Sequence, residues 1–259
     1  NRLSNVKNSL LQDTFHRAHS NHLTKELFPL DDLVIQPNFL IDPGILQDES
    51  AIFQSEISST VPYIPDFPVL SRNFNISKLK IDDLCKSDAN FVIYGIPGSG
   101  KTVAISLFVS FLIRNLQNKN LNVKTPLYFS AYEIPENFQF NSTMDLITTL
   151  FTQRNLNISY KDLSEFIKNE IELNTCILIM DDLDELHPEQ FNKIAKLLED
   201  ISREKPNLQI ITTCSPLYVG NIIKNGFIPL FITSWSNSQI MDFYNKWDLL
   251  WKTSGDNPD

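Results

Sequence analysis

The sequence predicts an α/β fold, a three-layer α/β/α sandwich on a mostly parallel five-stranded sheet, preceded by an N-terminal helical and extended appendage. Two observations carry this. From about residue 77 onward, short continuous apolar runs alternate with segments of helical period, the pattern of strands buried on both faces by crossover helices. Three of only seven glycines, Gly95, Gly98 and Gly100, gather directly after one of those runs, where a strand passes into a helix. Because glycine loses more freedom on folding than any other residue, such a cluster in a glycine-poor chain signals a local geometric demand.

Taken in order, Leu3, Val6, Leu10, Leu11 and Phe15, then Leu23 and Leu27, recur near helical spacing and predict one or two helices over residues 1–26. Between residues 29 and 68, six prolines break any period. This zone reads as extended segments and turns, with at most a short helix near 49–57. Five strands are expected at "FVIYG" (91–95), "TPLYFSAY" (125–132), "CILIM" (176–180), "LQIITTC" (208–214) and "FIPLFIT" (227–233). Helices are expected at 102–116, 143–151, 163–173 and 189–201. A last amphipathic stretch carries Ile240, Phe243, Tyr244, Trp247, Leu250 and Trp251 on one stripe, suited to core or interdomain packing. The expected organisation is an N-terminal segment over 1–70, the sandwich over 71–235, and the start of a truncated helical subdomain over 236–259.

Composition bounds the function. The 259 residues carry a formal net charge of -9, which argues against direct nucleic-acid binding by this segment. Cys85, Cys176 and Cys214 lack metal-ligand spacing, and Cys176 and Cys214 sit in or beside apolar runs as core residues do. With no signal peptide and no long apolar run, a reducing cytoplasm and no membrane association are expected. The chain opens at Asn1 and closes on a polar tail, so a piece of a longer protein is expected. His16, His19 and His22 are three apart but have no cysteine or carboxylate partners and read as a solvated face.

The glycine cluster is "GIPGSGKTV": Gly95, Ile96, Pro97, Gly98, Ser99, Gly100, Lys101, Thr102 and Val103. Strand before and helix after make this a Walker A phosphate loop, whose backbone N–H groups wrap anionic oxygens at a helix N-terminus. Lys101 adds a full charge and Thr102 a hydroxyl for Mg²⁺. Farther on, the apolar run ending at Met180 delivers Asp181 at a strand's C-terminal edge, where a carboxylate can hold the same Mg²⁺. Asp184 and Glu185 follow within one turn, placed to orient and deprotonate water. Thr212 and Thr213 end the next apolar run, from which a hydroxyl could stand beside a γ-phosphate.

"GIPGSGKT", "ILIMDDLDEL" and "IITTCSP", in that order and spacing, resemble the NACHT branch of the STAND class of P-loop NTPases, within the wider AAA+-like group. The resemblance spans about residues 70–250. It implies a P-loop NTPase sandwich that binds ATP or ADP with Mg²⁺, with Thr213 in the sensor 1 role and Asp184 ahead of Glu185 as base. It also implies a slowly hydrolysing switch whose nucleotide state controls self-oligomerisation of a larger multidomain chain, in signalling that includes innate immunity and antiphage defence. Two departures stand out: Asp182 where the family has a small residue, and Ser215 where it has arginine, so any arginine would come from elsewhere, with Arg114, Arg154 and Arg203 as candidates. The alternatives are a nucleotide-binding module with vestigial catalysis and an AAA+ motor or loader acting on nucleic acid.

Overall fold

The computed structural model describes residues 2–20, 27–41, 78–118, 123–135, 142–154 and 156–253. The helix expected near 49–57 and His22 lie outside the described residues. Seven strands form one sheet: β1 (Phe39–Ile41), β2 (Lys78–Leu79), β3 (Phe91–Tyr94), β4 (Thr125–Ser130), β5 (Cys176–Asp181), β6 (Gln209–Cys214) and β7 (Ile228–Ile232). Their spatial order is β2-β1-β7-β3-β6-β5-β4. The five expected strands, β3 to β7, pair in parallel, and β1 and β2 add two antiparallel ribbons on the β7 edge. These two are too short for a period to show, yet Phe39 and Leu40 are fully buried.

The apolar runs follow from burial on both faces. Val92, Tyr94, Leu127, Phe129, Leu178, Met180 and Ile210 enter one core layer, while Phe91, Ile93, Tyr128, Ile177, Ile179 and Ile211 enter the other. Alternate residues of a strand point to opposite faces, so neither face is left for polar residues.

The first layer is covered by α5 (Thr143–Thr152), α6 (Tyr160–Glu172), α7 (Pro188–Glu204) and α8 (Val219–Ile223). The second layer holds α3 (Ile81–Cys85) and α4 (Lys101–Asn118), the long helix after the phosphate loop. The N-terminal helix α1 (Arg2–His19) sends Val6 and Leu10 into the first layer and Leu11 and Ala18 into the second, so it closes one end of the sandwich. The one-turn α2 (Leu30–Leu33) precedes an extended strap that runs to β1. The final helix, α9 (Asn237–Thr253), buries no residue fully. It leans on the α2 region through Phe28, whose ring meets Trp247 edge-on at 5.3 Å. Burial pushes the Cys85 and Cys176 thiols up to about 12, which keeps both protonated at neutral pH.

Candidate nucleotide site

β3 lies between β6 and β7, while its chain neighbour β4 lies at the far edge, so the loop leaving β3 opens at the point where strand order reverses. Crevices of open α/β sheets form there. The three loop glycines meet two different demands. Gly98 (φ +79) and Gly100 (φ +92) adopt the left-handed backbone that side chains disfavour, although a Cβ would have room at each. Gly95 is needed for closeness, since a Cβ there would stand 2.5 Å from Ser99 Oγ and 2.8 Å from Ile232. Lys101 is buried and folds back over the loop, donating from Nζ to the Gly95 carbonyl at 3.0 Å and the Ile96 carbonyl at 3.4 Å.

Strand parity gathers the polar groups. Asp181 and Thr213 continue the odd-numbered faces of β5 and β6, and Ser130 the even-numbered face of β4, all of which look toward the α4 layer. Thr213 Oγ1 donates to Asp181 Oδ1 and accepts from the Asp182 backbone N–H at 3.2 Å. Thr212, one residue earlier, faces the opposite layer and its hydroxyl is buried without a hydrogen bond. Burial first, and then the neighbouring Asp182 charge, raise the Asp181 carboxyl, the Thr213 hydroxyl, the Asp182 N–H and the Thr102 hydroxyl oppose them, and the net result is a value of about 7.

The oxygens fit a hard dication. Asp181 Oδ2 is buried with no hydrogen-bond partner, and the Thr102 hydroxyl lies close enough to act on the same carboxylate. No group of three or more His, Cys, Asp or Glu side chains converges among the described residues. A Mg²⁺ here would therefore take Asp181 and Thr102 from the protein and its other oxygens from phosphate and water, which is how this ion is ordinarily held.

The acidic turn after β5 separates into distinct environments. Asp182 takes a left-handed backbone (φ 66), and its Oδ2 accepts from Ser130 Oγ at 2.7 Å. Glu185 is exposed and accepts from the Tyr132 hydroxyl at 2.8 Å. Asp184 lies in the one-turn 3-10 helix Leu183–Glu185, and its side chain lies outside the described residues. Sequence reasoning missed Asp182 and Ser130, because their pairing joins positions on two strands with no local signal. Ser215 is buried beside this edge. The three candidate arginines part company: Arg114 pairs with Asp31 and Arg203 with Asp200 at the surface, whereas Arg154 is buried, its guanidinium depressed by desolvation, in a fork onto Glu133.

Beside the loop opens a cleft of about 670 Å³, walled by Val34 and Pro37 of the strap, Ile96 and Gly98 of the loop, and Trp235 and Phe243 at the start of α9. Its walls are largely apolar, as small-ligand sites ordinarily are. Gln239 donates to the Gln36 carbonyl at 3.0 Å and Lys246 to the Val34 carbonyl at 2.7 Å, so α9 and the strap are tied together over it. No described helix is long and apolar enough to cross a membrane.

No curated protein matches the chain. Among solved structures it is similar to a chain of Drosophila ORC bound to DNA, at 16% identity and TM-score 0.41, covering 64% of this chain and 41% of that one. It is also similar to the Aeropyrum pernix ORC1 protein in complex with DNA, at 17% identity and TM-score 0.39, covering 65% and 48%. The chain thus spans under half the length of either. Both of those chains are in DNA complexes, contrary to the expectation of no direct nucleic-acid binding, and that expectation is corrected on its own ground: net charge averages over a surface and leaves local patches undecided, so the acidic balance does not argue against such binding. The family whose model matches is described as AAA domain, over residues 85–219, from just before β3 to the start of α8. That match is to the wider group and not specifically to its NACHT branch. By this match, over more than half its length, the chain belongs to the AAA domain family and carries an AAA+-type P-loop NTPase module.

Proposed function

We propose that the chain binds Mg-ATP and hydrolyses it slowly. The observation that carries this is the convergence of the phosphate loop, Thr102, Asp181 and Thr213 at one reversal point of the sheet. Phosphates lie along the loop with Lys101 swung onto the β/γ oxygens, and the base enters the apolar cleft between strap and α9. Thr102 and Asp181 hold Mg²⁺, which when bound supplies positive charge to the phosphate oxygens. Thr213 fixes the Asp181 carboxylate by its hydrogen bond.

Of the acids in the turn, Asp182 is the base we favour. It follows the magnesium carboxylate directly, its backbone is held by Thr213, and its carboxylate is half-buried beside Ser130, whereas Glu185 faces solvent. Asp182 takes a proton from water, the water oxygen bonds to the γ-phosphorus, and the bridging bond breaks with its electron pair on ADP. With Ser215 in place of an arginine, transition-state charge is less well met and slow turnover follows. Calorimetric ATP affinity with and without Mg²⁺, followed by phosphate release, tests this reading.

For the downstream role, a loader or motor acting on nucleic acid is favoured by the DNA complexes in which both matched chains occur. The signalling switch rests on motif spacing. Turnover measured with and without duplex DNA separates the two: stimulation supports the loader, and none supports the switch.

A further inference from the structure

Two polar routes leave the candidate site in different directions and end on the same helix. The first starts at the acidic turn, where Ser130 Oγ donates to Asp182 Oδ2 at 2.7 Å. The Ser130 backbone N–H donates to Glu133 Oε1 at 3.0 Å. Glu133 in turn receives Arg154 in a two-pronged fork, both contacts 2.9 Å. Arg154, with only 2% of its side chain exposed, reaches Asp13 of α1 at 3.3 Å, and Arg17 of α1 clasps the same Asp13 at 2.9 Å.

The second route starts at Thr102. Its carbonyl accepts from Ser106 Oγ at 2.8 Å, and the Ser106 carbonyl accepts from Ser110 Oγ at 2.8 Å. Ser110 Oγ lies 2.8 Å from His19 Nε2 at the end of α1. A hydroxyl has one proton and Ser110 gives its own to Ser106, so His19 donates here. Ser106 and Ser110 are buried.

The geometry points to α1 as a control element of the nucleotide site: its docking sets the Asp182 and Thr102 ends together, with Asp13, Arg154, Glu133 and Ser130 as positioning residues. The inference rests on the nucleotide reading above. Both ends of the site are tied to one helix that contributes no atom to it, so any force that shifts α1 along the sandwich disturbs both. Fixed charge-assisted forks transmit such shifts better than apolar contacts, because their geometry is narrow. By linkage the coupling is reciprocal, so Mg-ATP must in turn alter the stability of α1.

The test uses the full chain. Mg-ATP affinity is measured first by calorimetry, then amide exchange of α1 with and without saturating Mg-ATP, then single-turnover hydrolysis. In wild type Mg-ATP should slow α1 exchange by at least about five-fold, the low end of ordinary coupling. Ser130→Ala, which keeps the backbone bond to Glu133 but loses Asp182, should bind Mg-ATP within a few-fold of wild type and lose that protection. Asp13→Asn should change single-turnover hydrolysis by a similar factor at little cost in affinity. Lys7→Ala, on α1 but directed at Glu170 of α6, should leave it unchanged. Binding with no α1 response, or Lys7→Ala acting as strongly as Asp13→Asn, would overturn the coupling and leave the nucleotide reading intact. Absence of Mg-ATP binding would overturn both.

Discussion

The Thr213 hydroxyl donates to Asp181 Oδ1 across neighbouring parallel strands, and Thr213 Oγ1 in turn accepts from the Asp182 backbone N–H. One side chain thereby fixes the Asp181 carboxylate and the backbone of the acid after it. Thr213→Val keeps the shape but removes both bonds, leaving a buried carboxylate oxygen and an N–H unsatisfied. The expected cost is about 1–3 kcal/mol of stability. Mg-dependent ATP affinity should fall with it, which denaturant melts and calorimetry would show.

Asp181 itself carries a pH signature. Its folded-state value of about 7 lies above the ordinary carboxylate value of about 3.9. The neutral acid therefore stabilises the fold below about pH 4, and that stability is lost as pH rises through about 7. An amide does not titrate. Without nucleotide or Mg²⁺, Asp181→Asn should raise Tm at pH 8 by about 2–4 °C, what ~1 kcal/mol yields in a chain of this size, and by less at pH 5. Equal shifts at the two pH values in thermal melts would contradict the burial argument. The same variant should lose Mg-dependent ATP binding, so function and stability oppose each other at this position.

The strand-end acid was legible in the sequence because a both-faces-buried strand admits no polar residue until it emerges, so the first carboxylate after "ILIM" marks the sheet edge. The loop glycines were legible for a like reason. The Asp182 to Ser130 bond was not, since it joins residues 52 positions apart, and Asp182 read only as a departure from a family pattern. The strap over the cleft and the β1 edge were hidden too: three paired residues cannot display a period. Arg154 looked like one of three equal arginines until burial separated them.

Arg154 is held by Glu133, Asp13 and the Tyr128 carbonyl, with its guanidinium 4.3 Å over the Phe151 ring. Arg154→Ala strips a buried ion pair of one partner, which should destabilise by about 3–5 kcal/mol in chemical denaturation. Arg114→Ala and Arg203→Ala, at exposed pairs, should cost under about 1 kcal/mol.

Lys101→Ala removes a charge that lies over the loop and outside both core layers, so the fold should survive. ATP affinity should drop by at least about 100-fold, the worth of a strong charge-assisted contact. Unchanged affinity in calorimetry would remove the phosphate-loop assignment.

The central claim, that this edge of the sheet hydrolyses ATP with Asp182 as base, is tested most directly by single-turnover hydrolysis at saturating Mg-ATP in wild type, Asp182→Asn, Asp184→Asn and Glu185→Gln. Measurable wild-type turnover is expected, with Mg-ATP affinity within a few-fold throughout. Asp182→Asn should lose about 100-fold or more in rate, as befits a lost general base, with Glu185→Gln and Asp184→Asn close to wild type. Wild-type rates in Asp182→Asn, or the full loss appearing in Asp184→Asn instead, would contradict it.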